Sequence, residues 1–232
     1  MKITLCVLTL NERPCLEEIF PKLPKLGGTG AFDDIVAIDG GSTDGTVEYF
    51  REHNVPIIFQ SRPGRGEAML KAIRDVDCDA YLFFSPDGNE EVEDLPKFRP
   101  LLRDGADIVI ASRMMAGASN EEDAHLFRWR KWANKTFTLL ANLFFRTEGP
   151  YVTDTINGYR AITRSAAQEL SLDASDYSIE FQMTIQGFKK RQNIVEFPTI
   201  EGHRIAGVTG APSIPTGLRF VRRLWREWVT RQ

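Results

Sequence analysis

The stretch DIVAIDGGSTDGTVEYF, residues 34–50, runs from an unbroken apolar segment through two glycines into a helical pattern. Residues 34–39 read as a strand and 44–53 as a helix, and the same succession recurs on either side. KITLCVLTL (2–10), VPIIFQS (55–61), AYLFFS (80–85) and ADIVIAS (106–112) read as further strands. PCLEEIFPKL (14–23), GEAMLKAIRDV (66–76) and VEDLPKFRPLLRD (92–104) read as the helices between them. Strands of continuous Val, Ile, Leu and Phe are buried on both faces, which predicts an α/β fold with a mostly parallel central sheet flanked by helices. Ligands of such sheets bind beyond the carboxyl ends of the strands. That rule directs attention to TLNE (9–12), AIDGGSTDGT (37–46), SRPGRGEA (61–68), SPDGNEE (85–91) and ASRMM (111–115).

After Arg113 the alternation changes. Residues 125–145 form one long helical pattern, and TDTINGYRAITRSAAQEL (153–170) reads as loop, short strand and helix. A helix over 178–191, a strand over 193–202 and a glycine-containing loop, HRIAGVTG (203–210), follow. Residues 217–232 read as a basic amphipathic helix appended to a domain over 1–216.

The chain has 232 residues, 42% hydrophobic and 26% charged, with a net charge of −3. This is the composition of a globular protein with a sizeable core, and no global field argues for nucleic acid. Cys6, Cys15 and Cys78 are odd in number and widely spaced, which excludes a disulfide framework or cysteine zinc site and fits a reducing, cytoplasmic setting. The first residues read as a buried strand, since no small-residue cleavage site follows their apolar run. No apolar run reaches the roughly 18 residues of a membrane span. Arg128, Trp129, Arg130, Lys131 and Trp132, and the tail with Arg219, Arg222, Arg223, Arg226, Trp225 and Trp228, mix cations with aromatics. That mixture suits peripheral contact with the inner face of a membrane, and equally packing within the chain or in an oligomer.

Each candidate constellation has a plain alternative. Asp39 with Gly40, Gly41, Ser42 and Asp44 is either a nucleotide cradle or a glycine turn with a helix cap. The turn around Arg65 either faces a phosphate or only opens a helix. SPDGNEE suits a type I turn, yet Asp87 and Asn89 would supply oxygen donors to Mg2+ or Mn2+ if a diphosphate completes the shell. His53, His125 and His203 are scattered and show no metal-binding spacing.

The order of these motifs is more specific than any one of them. VLTLNE, AIDGGSTDGTVE, GRGEAMLKAI, the acidic turn, ASR, TDTINGYRAITRSA and HRIAGVTG together resemble a family 2 glycosyltransferase over residues 1–210, similar to the dolichyl- and polyprenyl-phosphate sugar transferases. The resemblance implies a GT-A nucleotide-diphospho-sugar fold and an inverting, divalent-metal-dependent hexosyltransferase. Its donor would be a UDP- or GDP-sugar and its acceptor a polyprenyl or dolichyl phosphate. Carried over by position, Leu10, Asn11, Glu12, Asp39, Gly41 and Arg65 would bind the donor nucleotide, and Asp87 and Asn89 the metal. Arg204 would meet the donor phosphates, while Gly158, Arg160 and Arg113 would face the acceptor with Arg128 and Arg130. Asp87, Asp154 and Arg204 are thus the expected catalytic set, with Asp154 the base if the acceptor is a hydroxyl. Two positions depart from the pattern: Ser85 stands at the first Asp of the family's metal motif, and Gly210 where a Lys is common. The alternatives are transfer to a glycan hydroxyl in cell-surface polysaccharide synthesis, or a non-catalytic nucleotide-sugar-binding module. A sugar nucleotidyltransferase would need a glycine- and lysine-rich phosphate loop near the N-terminus, which the chain lacks.

Overall fold

The computed structural model describes residues 1–24, 30–120, 129–206 and 213–230. Its centre is a seven-stranded sheet built from β1 (Ile3–Thr9), β2 (Asp34–Asp39), β3 (Ile57–Phe59), β4 (Ala80–Phe84), β5 (Ile108–Ser112), β6 (Arg160–Thr163) and β7 (Ile194–Pro198). The strand order is β3-β2-β1-β4-β6-β5-β7. Six strands point the same way, and β6 runs antiparallel between β4 and β5. The sheet is therefore mostly parallel, as the apolar runs predicted.

Successive strand residues feed opposite cores because strand side chains alternate between faces. Cys6, Leu8, Val36, Ile38, Tyr81, Phe83, Ile108 and Ile110 pack on one side. Leu5, Val7, Ala37, Leu82, Phe84, Val109 and Ala111 pack on the other. On the first face lie α3 (Arg65–Asp75), α5 (Trp129–Phe145), α7 (Ile179–Lys189) and α8 (Ser213–Val229). On the second lie α1 (Arg13–Ile19), α2 (Thr46–Glu52) and α4 (Leu95–Arg103). The short α6 (Arg164–Glu169) follows β6 directly, capped by the Thr163 hydroxyl accepting from the Ala166 N–H.

The expected boundary at residues 216 and 217 falls inside α8, which begins at Ser213. This helix is fastened to the domain. Phe220 meets Phe137 and Phe181 in edge-to-face contacts, and the buried Glu227 accepts from Gln182, Gln186 and Lys189 on α7. Among the described residues, no helix is long and apolar enough to cross a membrane.

Six strand ends and the start of the antiparallel β6 open on one edge of the sheet. The loops bearing Asn11, Asp39, Asp87, Arg113, Asn157 and Arg204 gather there.

Candidate active site

The first two loops form one shelf. Asp39 is fully buried at the end of β2, and its Oδ2 accepts the N–H groups of Gly41 and Ser42 at 2.8 and 2.9 Å. Its Oδ1 accepts the Ser42 hydroxyl at 2.5 Å. Asn11, at φ +57°, reaches across from β1, its Oδ1 accepting the Thr43 N–H at 2.8 Å. Gly41 sits at φ +97° with open space beside it, so a flat ring can approach the backbone there, and the exposed Leu10 side chain lies against the preceding Gly40. Glu12 lies deeper, its N–H donating to the Thr46 hydroxyl. Burial pushes the Glu12 carboxyl above its ordinary value, and nearby Asp87 adds to this.

The acidic turn after β4 is fastened to the loop after β7. The N–H of Gly202 donates to the Asn89 carbonyl at 3.0 Å, and that of Ile205 to the Asp87 carbonyl at 2.9 Å. The approach is close enough to demand glycine. A Cβ at Gly88, at φ +93°, would lie 2.7 Å from Ile205 Cγ1, and one at Gly202 would lie 2.4 Å from the Gly88 carbonyl oxygen. Asp87 Oδ1 accepts the Asn89 N–H at 3.1 Å, while Oδ2 accepts from Arg204 Nη2 at 2.7 Å. Arg204 Nη1 is also 3.8 Å from a Glu12 carboxylate oxygen. The Asn89 Oδ1 is buried with no hydrogen-bond partner among the described residues. A carboxylate beside an orphaned carbonyl oxygen is an oxygen-donor pair that suits a hard divalent cation. No cluster of three or more His, Cys, Asp or Glu suited to a metal exists among the described residues, so the remaining ligands would come from substrate or water.

Arg65 forms the floor between this turn and α7. Its Nε donates to the buried Glu180 carboxylate, Nη1 donates to the Ser85 hydroxyl at 2.7 Å, and Nη2 lies 3.8 Å from Glu90. The guanidinium rests directly over Gly158, where an added Cβ would stand 1.6 Å from Nη2. Gly158 therefore makes room for Arg65, and it lies in the lining of the same cleft. The Ser85 N–H donates to Glu90 at 2.7 Å, and burial pushes the Glu90 carboxyl up to about 8 despite the opposing pull of Arg65.

After β5, Arg113 donates from Nε and Nη2 to Asp154 at 2.8 and 3.1 Å, and from Nη1 to Glu201 at 2.9 Å. Asn120 donates to the other Glu201 oxygen at 2.6 Å. The surroundings of Asp154 and Arg160 bear on the roles expected of them. Asp154 is buried and also accepts the backbone N–H groups of Arg113 and Asn157. Burial raises its carboxyl, but Arg113 and these donors more than offset that and hold it below the ordinary value. A carboxylate so committed is a clamp for Arg113 and a poor base. Arg160 has 0% exposure and donates to the carbonyls of Asn157, Glu180 and Thr155 and to the Thr184 hydroxyl. It binds the preceding loop to α7 beneath the site. Desolvation pushes this guanidinium down to about 10.

Arg65, Ser85, Asp87, Asn89, Arg113, Arg130 and Arg204 line one cleft of roughly 270 Å³. Lys131, Glu90, Glu180, Glu201 and Asn120 also line it, none of them among the expected site residues. Glu90 and Glu201 follow strands of the parallel sheet, so the strand-end rule carried a signal for both. Glu180, inside a helix, had none. Arg128 and Gly210 lie outside the described residues.

Residues 4–170 match Glycosyl transferase family 2. The chain belongs to that family. The family 2 chain is 27% identical over 197 residues to glycosyltransferase AglJ of Haloferax volcanii, covering 84% of this chain and 61% of that protein. It is 24% identical to the dolichol-phosphate mannosyltransferase of Pyrococcus furiosus, covering 97% and 63% respectively. It thus spans about three-fifths of the length of these two relatives. A dolichyl-phosphate hexose transferase of Haloferax volcanii is 27% identical, covering 82% of this chain and 78% of that protein. The fold matches glucosyl-3-phosphoglycerate synthase from Mycobacterium tuberculosis, in complex with Mn2+, UDP-glucose and phosphoglyceric acid, with a TM-score of 0.76 at 21% identity. That match covers 98% of this chain and 80% of the other, so this family 2 chain has the GT-A fold.

Proposed function

We propose that the chain is an inverting hexosyltransferase that moves a sugar from a UDP- or GDP-sugar to a polyprenyl or dolichyl phosphate. The observation that carries this reading is one cleft holding the Asp87–Asn89 oxygen pair and the cations Arg113, Arg130 and Lys131. The names of two relatives, a dolichol-phosphate mannosyltransferase and a dolichyl-phosphate hexose transferase, support the acceptor class.

The shelf of Leu10, Asn11, Asp39 and Gly41 receives the nucleoside, and the diphosphate extends toward Asp87. Asp87 and Asn89 would hold Mg2+ or Mn2+, which when bound offsets the charge that develops on the leaving diphosphate. Arg204 and Arg65 offer further cationic groups to the same charge. A phosphate oxygen of the acceptor attacks the anomeric carbon from the face opposite the diphosphate. The bond from that carbon to the donor phosphate breaks, and the nucleoside diphosphate leaves with the electron pair. The attacking oxygen is already anionic near neutral pH, so no base is needed. Arg113, clamped by Asp154, and Arg130 orient the acceptor phosphate.

The commitment of Asp154 to Arg113 favours a phosphate acceptor over a glycan hydroxyl, which would require a base. A lipid acceptor implies a cytoplasmic protein working against the inner face of a membrane. The test supplies UDP- and GDP-sugars with Mn2+ or Mg2+ and either polyprenyl phosphate or an oligosaccharide. Metal-dependent transfer to the lipid phosphate is expected. Transfer to the glycan alone, or donor binding without turnover, would overturn the reading.

A further inference from the structure

The helices α5 and α8 carry features that sugar transfer does not use. They pack on each other through Phe137 against Phe220 and Phe144 against Trp228. Their outward sides are apolar as well. On α8, Leu218, Val221, Trp225 and Val229 are exposed at a spacing that places them in one stripe. On α5, Trp132, Leu139 and Leu143 do the same, with Trp132 69% exposed and Leu143 68%. A water-facing side normally carries charge, so two neighbouring apolar stripes mark a surface that something covers.

The charge beside the stripes narrows the partner. Lys135, Arg219, Arg222 and Arg226 are exposed on these helices, whereas their only carboxylate, Glu227, is buried. Asp173 and Asp176, on the segment before α7, face Arg226 and Arg219 at 2.7 and 3.6 Å. Arg223 is turned inward, pairing with Asp173 and Glu227. The outward fringe is thus net positive on a chain whose total charge is −3. A second copy docked by this face would set one cationic fringe against another. Apolar stripes with Trp, Leu and Val beside Lys and Arg fit the boundary between headgroups and acyl chains of an anionic bilayer.

We infer that the outer faces of α5 and α8 form the surface by which this protein docks on an anionic lipid membrane. The same helices contribute Arg130, Lys131, Phe137, Thr216, Gly217 and Phe220 to the cleft wall, so docking brings the cleft to the lipid surface. The inference rests on the lipid-phosphate reading for its purpose but not for its measurement.

The experiment sediments the full chain with phosphatidylcholine vesicles, and with the same vesicles containing phosphatidylglycerol, at low and high salt. Binding to the anionic vesicles, weakened by salt, is expected. The double variant Trp225→Glu/Leu143→Glu changes two exposed residues outside the cleft and should unfold at the same temperature as the wild type. It should bind anionic vesicles at least about tenfold more weakly, a loss consistent with removing two apolar anchors. In detergent it should transfer sugar to short-chain polyprenyl phosphate as the wild type does. Equal vesicle binding by variant and wild type would overturn the inference. So would a wild type that ignores anionic vesicles, or one that dimerises in solution through contacts the variant loses. Vesicle binding without transfer to any lipid phosphate would uphold the surface and overturn the acceptor reading. Transfer without vesicle binding would do the reverse.

Discussion

Arg204 Nη2 donates to Asp87 Oδ2 at 2.7 Å, so the carboxylate best placed to hold a metal already holds a guanidinium. The loop bearing Arg204 is bonded through its backbone to the same acidic turn, which keeps the two groups together. A divalent ion entering this turn has to share Asp87 with Arg204 or displace it. Arg204→Gln should therefore tighten Mn2+ binding to the donor-free protein by about tenfold, the equivalent of one lost charge-assisted contact. The same variant should weaken binding of nucleoside diphosphate in the presence of Mn2+, because a cation near the phosphates is gone. Titration calorimetry reads both. Unchanged Mn2+ affinity would show that the pair does not compete with the metal.

Asp87→Ala should remove Mn2+ binding and transfer together, since Asn89 alone is a single neutral donor. Ser85→Asp is the informative companion. The Ser85 hydroxyl accepts from Arg65, and a carboxylate in its place would have the same guanidinium to pair with while adding an oxygen donor at the turn. Transfer should be preserved and Mn2+ binding tightened, measured by activity across a metal titration. Full activity in Asp87→Ala would remove the acidic turn from the mechanism.

The sheet was legible because β1, β2, β4 and β5 are runs of buried apolar residues, and burial on both faces leaves no alternation to misread. The strand-end rule pointed to Asp39, Asp87 and Arg113, which the fold brings to one edge of the sheet. Roles that depend on remote partners were not legible. Arg65 and Glu180 stand 115 residues apart in the chain, and nothing local announces their pairing. Gly158 lines the cleft, but only the folded chain reveals the guanidinium lying over it. Arg160 carried the same ambiguity, since an arginine beginning a strand shows no sign of whether it will face the cleft or lie beneath it.

Gly158→Ala should expose the role of that glycine. The new methyl would displace Arg65 and leave Glu180 buried without its cation, a loss of about 3 kcal/mol. In an Arg65→Ala background the same substitution should cost little, because the space is then free. Urea unfolding of the four proteins gives the coupling directly. Additive losses would mean that Gly158 is conserving backbone shape and not making room for Arg65.

Asp154→Asn should separate a clamp from a base. The Asp154 carboxyl is held below its ordinary value in the folded state, so the stability it adds is fully present above its unfolded value of about 3.9 and is lost as pH falls through the lower folded one. At pH 7 the variant should be less stable by about 2 kcal/mol, since Arg113 loses the more deeply buried of its two carboxylate partners and keeps Glu201. Below about pH 4 the gap between variant and wild type should narrow, because the carboxyl of the unfolded wild type then takes up a proton while the folded one is still ionised. Urea unfolding from pH 7 down to about 3 follows this, the lower end lying beneath the unfolded carboxyl value. Transfer should suffer mainly as a higher KM for the lipid phosphate, through a less firmly held Arg113. A variant of unchanged stability that has lost turnover at saturating acceptor would instead make Asp154 the base, and would shift the acceptor from a phosphate to a hydroxyl.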